Sequence, residues 1–221
     1  MPAHPAQPHR PMKAIASPWP LISLLIGLLI IFGHARAEAG VAPQELVYQA
    51  SERVLTALGQ EDNALIQDPQ RLYALVDTVL VEHMDFERMS RWVLGKHWKA
   101  ASPEQQQHFA REFRGLLVRT YATALAGYRG QALEILAPRP GASADEIVVR
   151  TEIRQAGGVS TPVNFSLYQR AGEWKAYDVQ IEGISLVANY RTNFAAEIRS
   201  GGLDGLIQSM AARNRQAFSL R

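Results

Sequence analysis

The hydrophobic period of this chain changes twice along its length, and that change limits the folds it can adopt. Between residues 103 and 128, apolar residues recur every three or four positions, which is typical of a helix. Four later segments alternate apolar and polar residues instead, which predicts strands. They span residues 131–137, 146–153, 162–170 and 173–181. The C-terminal segment returns to the helical period. Strands in sequence, with helices before and after them, predict an α+β fold with a four-stranded antiparallel sheet.

The alternation gives the predicted sheet two different faces. Val149, Phe165 and Val179 fall on one side, which we call the apolar face. Positions such as Ser166 and Asp178 fall on the other side, the polar face, which we expect to meet solvent. Several helices then pack on the apolar face, and the cone-like space between sheet and helices is either a filled core or a cavity.

Several helices carry recognisable start signals. Asp68 and Asp85 stand where an N-cap is expected, and Ser102 begins a capping box. Ser185 follows the last strand and predicts the N-cap of the next helix. Gly202 predicts a break between the two helices that close the chain.

The N-terminal 37 residues have the features of a secretory signal peptide. Arg10 and Lys13 precede an uncharged apolar run at 19–33, and Ala35-Arg36-Ala37 fits a signal-peptidase site. A transmembrane anchor is the alternative, but this run has 15 residues, whereas a span needs about 20. Translation from Met12 is a second possible start.

This interpretation divides the chain into a signal peptide at 1–37, a single domain at 38–215 and a tail at 216–221. The full chain has a net charge of +2, but the leader contains basic residues and no acidic residue. The mature domain therefore has no basic excess that would favour nucleic acid. It also has no cysteine, so its core must hold the fold without disulfides in an exported protein. We expect a periplasmic location.

Catalytic and metal-binding patterns are not found in the sequence. His83, His97 and His108 do not stand at metal-ligand spacing, and no cysteine accompanies them. The surroundings of Ser185 lack the second glycine of a nucleophile elbow. The sequence therefore predicts no catalytic residue, no metal and no cofactor.

Four longer segments carry a resemblance to a known family. They are FERMSRWVLGKHW at 86–98, SPEQQQHFAREFRGLLVRTY at 102–121, VVRTEI at 148–153 and WKAYDVQIEGISLVANYRTNFAAEIRSGGLDGLI at 174–207. Over about residues 43–213 the chain resembles the periplasmic phospholipid-binding proteins of the Mla lipid-transport system, also called the toluene-tolerance family.

The resemblance implies a soluble carrier of glycerophospholipid and no enzymatic activity. Its partners would be an outer-membrane lipoprotein–porin complex and an inner-membrane ABC transporter with its lipid-binding ring. The acyl chains would lie between sheet and helices, and the head group would point to solvent. Arg150 and Arg191 are candidate head-group contacts, with solvated surface residues as the alternative interpretation. The residues expected to face the lipid are Phe113, Leu117, Tyr121, Ile147, Val149, Val163, Phe165, Leu167, Tyr177, Val179, Ile184, Val187, Tyr190 and Phe194.

Two other functions are compatible with the same architecture. A cavity enzyme would need a buried acid among the inward positions, yet Asp178 and Glu182 fall on the outward side of the alternation. An adaptor or chaperone would have the same fold with a solid core.

Overall fold

A computed structural model describes residues 41–60, 68–125, 132–154 and 160–219. The predicted signal peptide lies outside the described residues. The helices are α1 (Pro43–Gln60), α2 (Pro69–His83), α3 (Phe86–Leu94), α4 (Lys96–Ala100), α5 (Pro103–Leu125) and α6 (Leu186–Ser219). Gly202 interrupts α6 with non-helical backbone angles, so the predicted break between two closing helices is confirmed. The helix continues to Ser219, into the segment predicted as a tail.

The predicted helix starts are confirmed by their hydrogen bonds. Asp68 accepts from the N–H groups of the first turn of α2, and Asp85 accepts from the N–H of Arg88 at 2.8 Å. Ser102 and Gln105 form both bonds of the capping box, at 3.0 and 3.1 Å. These side chains accept hydrogen bonds from first-turn N–H groups that have no carbonyl partner inside the helix.

The α+β prediction is confirmed, and the sheet is antiparallel. Its strands are β1 (Ala132–Ile135), β2 (Arg139–Pro140), β3 (Glu146–Arg154), β4 (Ser160–Arg170), β5 (Glu173–Ile181) and β6 (Ile184–Ser185). Their order is β1-β3-β4-β5-β6, and β2 also pairs with β3. The four predicted strands are present, and two strands of two residues extend the sheet.

The buried apolar residues form separate clusters. The helical core lies between α3, α5 and α6 and includes Met89, Phe113 and Phe194. A second cluster joins α1, α2 and α5. A third places Val47 of α1 against Val149 and Leu167 of the apolar face. Helix α1 is therefore a cover for part of that face.

Gly95 joins α3 to α4 with a backbone conformation that only glycine adopts easily. Its angles are φ 54° and ψ −118°, and an added Cβ would lie 3.1 Å from Nη2 of Arg191. We expect Gly95→Ala to lower the free energy of unfolding by about 1–3 kcal/mol, the usual cost of a strained backbone. Urea unfolding monitored by circular dichroism measures this change.

Gly205 provides the matched control for this prediction. It lies inside α6, and nothing would come within 4 Å of an added Cβ. Gly205→Ala should therefore stabilise the protein by about 0.5–1 kcal/mol, because alanine favours helix more than glycine. Equal effects of the two substitutions would contradict the role of backbone strain at Gly95.

Candidate functional site

The apolar face is built from aligned rows of side chains. Val149 of β3, Phe165 of β4 and Val179 of β5 pair directly across the three strands. Ile147 pairs with Leu167 in the neighbouring row. Thr151 belongs to the same face, and its hydroxyl donates to the carbonyl of Val163 at 2.6 Å. The one hydroxyl in these rows thus has a partner in the backbone, and the face remains apolar.

The rest of the described protein covers the apolar face only in part. Val149 and Leu167 are fully buried at 0 % exposure beneath α1, and Val163 is also buried. Many other residues of the apolar face are only half-buried, although their side chains are large and apolar. These half-buried residues are Leu133, Ile135, Ile147, Ile153, Phe165, Val179 and Ile181. A half-covered apolar surface of this extent favours a ligand of the same chemistry.

The helical core, in contrast, is filled with side chains. Phe113 and Phe194 are almost fully buried, as are Leu117 and Val187. Phe113 lies 5.3 Å from Tyr190 and 6.0 Å from Phe194 between ring centroids, both in edge-to-face geometry. This is the preferred arrangement of packed aromatic rings. The predicted lipid-facing residues of α5 and α6 therefore pack on one another.

Tyr121 and Tyr190 lie at the margin of the helical core and are only half-buried. Burial raises the pKa of Tyr121 to about 12, and the neighbouring Tyr190 adds to the shift. The phenol of Tyr121 therefore stays protonated at physiological pH and remains a neutral hydrogen-bond donor in an apolar setting.

The predicted position of Tyr177 on the apolar face is wrong. A bulge between β4 and β5 pairs Ser166 with Asp178 but Leu167 with Ala176, so Tyr177 is an extra residue in β5. Its hydroxyl donates to Glu146 at 3.1 Å, and its ring lies 5.8 Å from that of Tyr168. Glu146 and Tyr168 belong to the polar face. The bulge therefore turns Tyr177 toward the helical core from that side.

The expectation of a solvated polar face is also wrong near this bulge. Ser166 and Asp178 are 8 % and 9 % exposed. Asp178 accepts from the N–H of Val187 at 3.2 Å, which ties β5 to the start of α6. Helices α3 and α6 cover this end of the polar face, whereas the sequence prediction placed the helices on the apolar face.

Arg88 lies between two tyrosine rings and joins α3 to the sheet, a contact that the sequence did not predict. The guanidinium carbon of Arg88 lies 3.8 Å from the ring centroid of Tyr168 and 4.3 Å from that of Tyr177. Arg88 also donates to Glu146 at 2.5 Å. Cation–π contacts are stronger when they are removed from water. Arg88, in the FERMS sequence at 86–90, therefore docks α3 on the polar face of the sheet.

Asp85 anchors the same junction. Its carboxylate accepts from the hydroxyl of Tyr168, from the N–H of Arg88 and from the guanidinium of Arg170 at 2.9 Å. Burial alone would raise the pKa of Asp85. The hydrogen bonds from Tyr168 and the backbone, together with the charge of Arg170, outweigh it and hold the pKa below its usual range.

We expect Asp85→Asn to lower the free energy of unfolding at pH 7 by about 1–3 kcal/mol, because a buried charged acceptor is lost. A carboxyl with a lowered folded pKa stabilises the protein above its unfolded pKa of about 4, and this contribution is lost as the pH falls below that value. The difference between wild type and variant should therefore shrink as the pH falls below about 4. Urea unfolding at a series of pH values measures it.

Glu87→Gln is the control for Asp85, since Glu87 is an exposed carboxylate in the first turn of the helix that Asp85 caps. It should change stability by no more than about 0.5 kcal/mol at any pH. An Asp85 variant with an unchanged difference from wild type across the acid range would contradict the linkage.

The last three candidate residues lie in different places. Ile184 of β6 pairs with Ile181, which places it on the apolar face, and it is 61 % exposed. Arg150 is half-buried and alternates with Val149, which places it on the polar face. Arg191 is exposed on α6 against the turn at Gly95. The two arginines thus lie on different elements.

Most of the predicted lipid-facing residues therefore fall into two groups. The structure brings Phe113, Leu117, Val187 and Phe194 together in the helical core, with Tyr121 and Tyr190 at its margin. It gathers Ile147, Val149, Phe165 and Leu167 in the cluster under α1. Met84, half-buried before α3, packs against both clusters. Sequence reasoning missed this methionine because it follows the last turn of α2.

No helix in the described part of the chain is long and apolar enough to span a membrane. Among the same residues, no group of three or more histidines and acidic residues is placed to hold a metal ion.

Comparison with known proteins places this fold and surface in a family. The sequence model of the MlaC protein family matches residues 48–212. The chain belongs to the MlaC family. A curated MlaC-family relative from Haemophilus influenzae, the binding protein MlaC of an intermembrane phospholipid transport system, is 29 % identical over 79 % of this chain and 83 % of its own length.

Two further proteins are similar to this chain. The toluene tolerance protein ttg2D of Pseudomonas putida is 26 % identical and covers 83 % of this chain and 87 % of its own length. A phospholipid-binding protein from Ralstonia solanacearum, solved with a phospholipid bound, has a TM-score of 0.71 and 33 % identity. The match covers 79 % of this chain and 97 % of the Ralstonia protein.

Proposed function

We propose that this MlaC-family protein is a periplasmic phospholipid carrier. It holds the acyl chains on the half-covered apolar face of its sheet. The observation that carries the proposal is the set of large apolar residues on that face, which the described protein leaves half-buried. Relatives named for phospholipid transport and the solved phospholipid complex support it.

The energetics favour an enclosed site over a shallow one. Each methylene moved from an apolar phase to water costs about 0.8 kcal/mol, so two chains with about 30 methylenes would cost roughly 25 kcal/mol if left wet. A carrier must therefore cover most of each acyl chain. The apolar face supplies one wall, and α1, which already contacts Val149 through Val47, supplies part of another.

The two groups of candidate residues then have different roles. Ile147, Val163, Phe165 and Val179 would contact acyl chain, with Val149 and Leu167 as the packed base of the site. Phe113, Leu117, Val187 and Phe194 would support the fold from the helical core. The head group would lie at the solvent end of the site. Arg150 and Arg191 lie on the polar face and on α6, so neither is assigned to the head group.

Transport follows from tight enclosure. A lipid held this firmly leaves slowly without help, so transfer requires a partner that opens the site. We propose that these partners are an outer-membrane lipoprotein–porin complex and an inner-membrane ABC transporter with its lipid-binding ring. A signal peptide at 1–37 would deliver the chain to the periplasm between them.

Native mass spectrometry of protein purified from its own periplasm without detergent separates the three candidate functions. A carrier should show added mass equal to one or two phospholipids, and solvent extraction followed by thin-layer chromatography should show a phosphate-containing lipid. A bare mass would contradict the carrier and favour the adaptor. A bare mass together with turnover of a small molecule would favour an enzyme.

A further inference from the structure

A groove away from the sheet combines an apolar floor with a basic rim. It lies between α3, α4 and α6 and has a volume of about 360 Å³. Val93 and Leu94 form its floor with Ala195 and Ile198 of α6. Lys96, His97, Arg191 and Arg199 line it, and none of the described residues that line it is acidic. We call this site the basic groove.

The cations of the basic groove lack the partners that other cations of the protein have. Among the described residues, no ion pair includes Lys96, Arg191 or Arg199. In contrast, Arg88, Arg114 and Arg170 each pair with a carboxylate. Like charges gathered around one cleft repel one another, so this arrangement favours a binding partner that brings negative charge.

Part of the rim lies close to the protein backbone. The Arg191 guanidinium lies against the α3–α4 turn, 3.1 Å from the position that a Cβ on Gly95 would occupy. Gly95 thus allows the guanidinium to lie close to the backbone beside the floor. Val93 and Leu94 are 2 % and 3 % exposed, so the floor is part of the rigid helical core.

We propose that the basic groove docks an acidic, amphipathic helical segment of a partner protein. Its aliphatic side chains would enter the cleft, and its carboxylates would meet Lys96, Arg191 and Arg199. The concave shape favours a protruding chain over a membrane surface, since a flat bilayer cannot reach the floor of a cleft. The groove shares no residue with the apolar face, so this docking does not depend on lipid carriage.

The test uses the full mature chain and a fluorescent synthetic peptide with leucine and glutamate in a helical repeat. Anisotropy measures its affinity, and amide shifts of Lys96 and Ala195 locate it. The double variant Arg191→Glu/Arg199→Glu should weaken binding by about tenfold, as reversal of interfacial charges does. The same variant should gain affinity for a leucine–lysine peptide.

The control variant is Arg111→Glu/Arg139→Glu, which changes net charge equally at exposed positions outside the groove. It should leave peptide affinity unchanged. Equal binding of a leucine–glutamine peptide, or unchanged affinity of the groove variant with normal thermal melting, would overturn the proposal. Binding to phosphatidylglycerol vesicles without binding to the peptide would overturn it in favour of a membrane contact.

Discussion

Phe165→Glu should fold normally and lose its phospholipid, whereas Val149→Glu should fail to fold. The two residues pair directly on the apolar face, but Val149 is 0 % exposed beneath α1 and Phe165 is only half-buried. A carboxylate at 165 can reach water when the site is empty. In the loaded state it would lie among acyl chains without a partner, at a cost of several kcal/mol.

At position 149 the same carboxylate has no access to water in either state. Its cost then acts on folding itself, and several kcal/mol is a large part of a total stability of about 5–15 kcal/mol. Thermal melting and bound-lipid content of both variants measure the two effects. The alternation of the sequence treats these positions alike, so the contrast tests the structure.

Asn164→Glu is the matched control in the same strand. Asn164 lies on the polar face, half-buried and paired with Arg150 and Gln180, so a carboxylate there has polar neighbours. It should affect neither melting nor lipid content. Ser166 is unsuitable as a control, because it is buried under the bulge. A Phe165→Glu protein that still carries full lipid would show that the apolar face is not the acyl-chain site.

Phe113→Ala should lower the free energy of unfolding by about 3–5 kcal/mol, the range for removing a fully buried phenylalanine. Phe113 is 0 % exposed and contacts the rings of Phe109, Tyr190 and Phe194. These neighbouring rings cannot fill the space without leaving their own packing, so a cavity remains. Urea unfolding measures the loss.

The folded fraction of Phe113→Ala should keep its phospholipid, because the helical core supports the fold and does not bind acyl chain. Tyr48→Ala is the control, since Tyr48 is an aromatic residue 43 % exposed on α1. It should change stability by no more than about 0.5 kcal/mol. A Phe113 variant of normal stability that loses lipid would place the ligand in the helical core instead.

Local signals predicted much of the fold. Asp68, Asp85 and Ser102 each begin a helix because the side chain accepts a hydrogen bond within one turn, and such bonds depend on residues close in sequence. The strands were predicted with ends within a few residues for the same reason, since alternation is a local pattern.

The orientation of Tyr177 could not be predicted from that pattern. Tyr177, Val179 and Ile181 continue one alternation, which groups Tyr177 with Val179, whereas Trp174 and Ala176 follow the opposite phase. Only the pairing with β4 identifies Tyr177 as the extra residue where the two phases meet. The burial of Asp178 has the same cause, because its partner at Val187 is a backbone N–H supplied by the next helix. Ile184 continues a helical pattern in sequence, but pairing with Ile181 draws it into β6.

The sequence predicted most of the apolar residues of the candidate site, but not their separation into the helical core and the apolar face of the sheet. The period identifies apolar positions on α5, α6 and the sheet, yet it does not show which of them pack on one another. Phe113 and Phe165 look equivalent in the sequence, although one is in a filled core and the other is half-covered. That difference arises from which helices pack against each residue, which is a tertiary property.

The most direct test is photocrosslinking with a phospholipid that carries a diazirine in its acyl chain. The probe is loaded onto the mature protein, irradiated and mapped by mass spectrometry of peptides. The account predicts adducts on β3, β4 and β5, at residues such as Ile147, Phe165 and Val179. Adducts on the segments around Phe113 and Phe194, with none on the sheet, would contradict it.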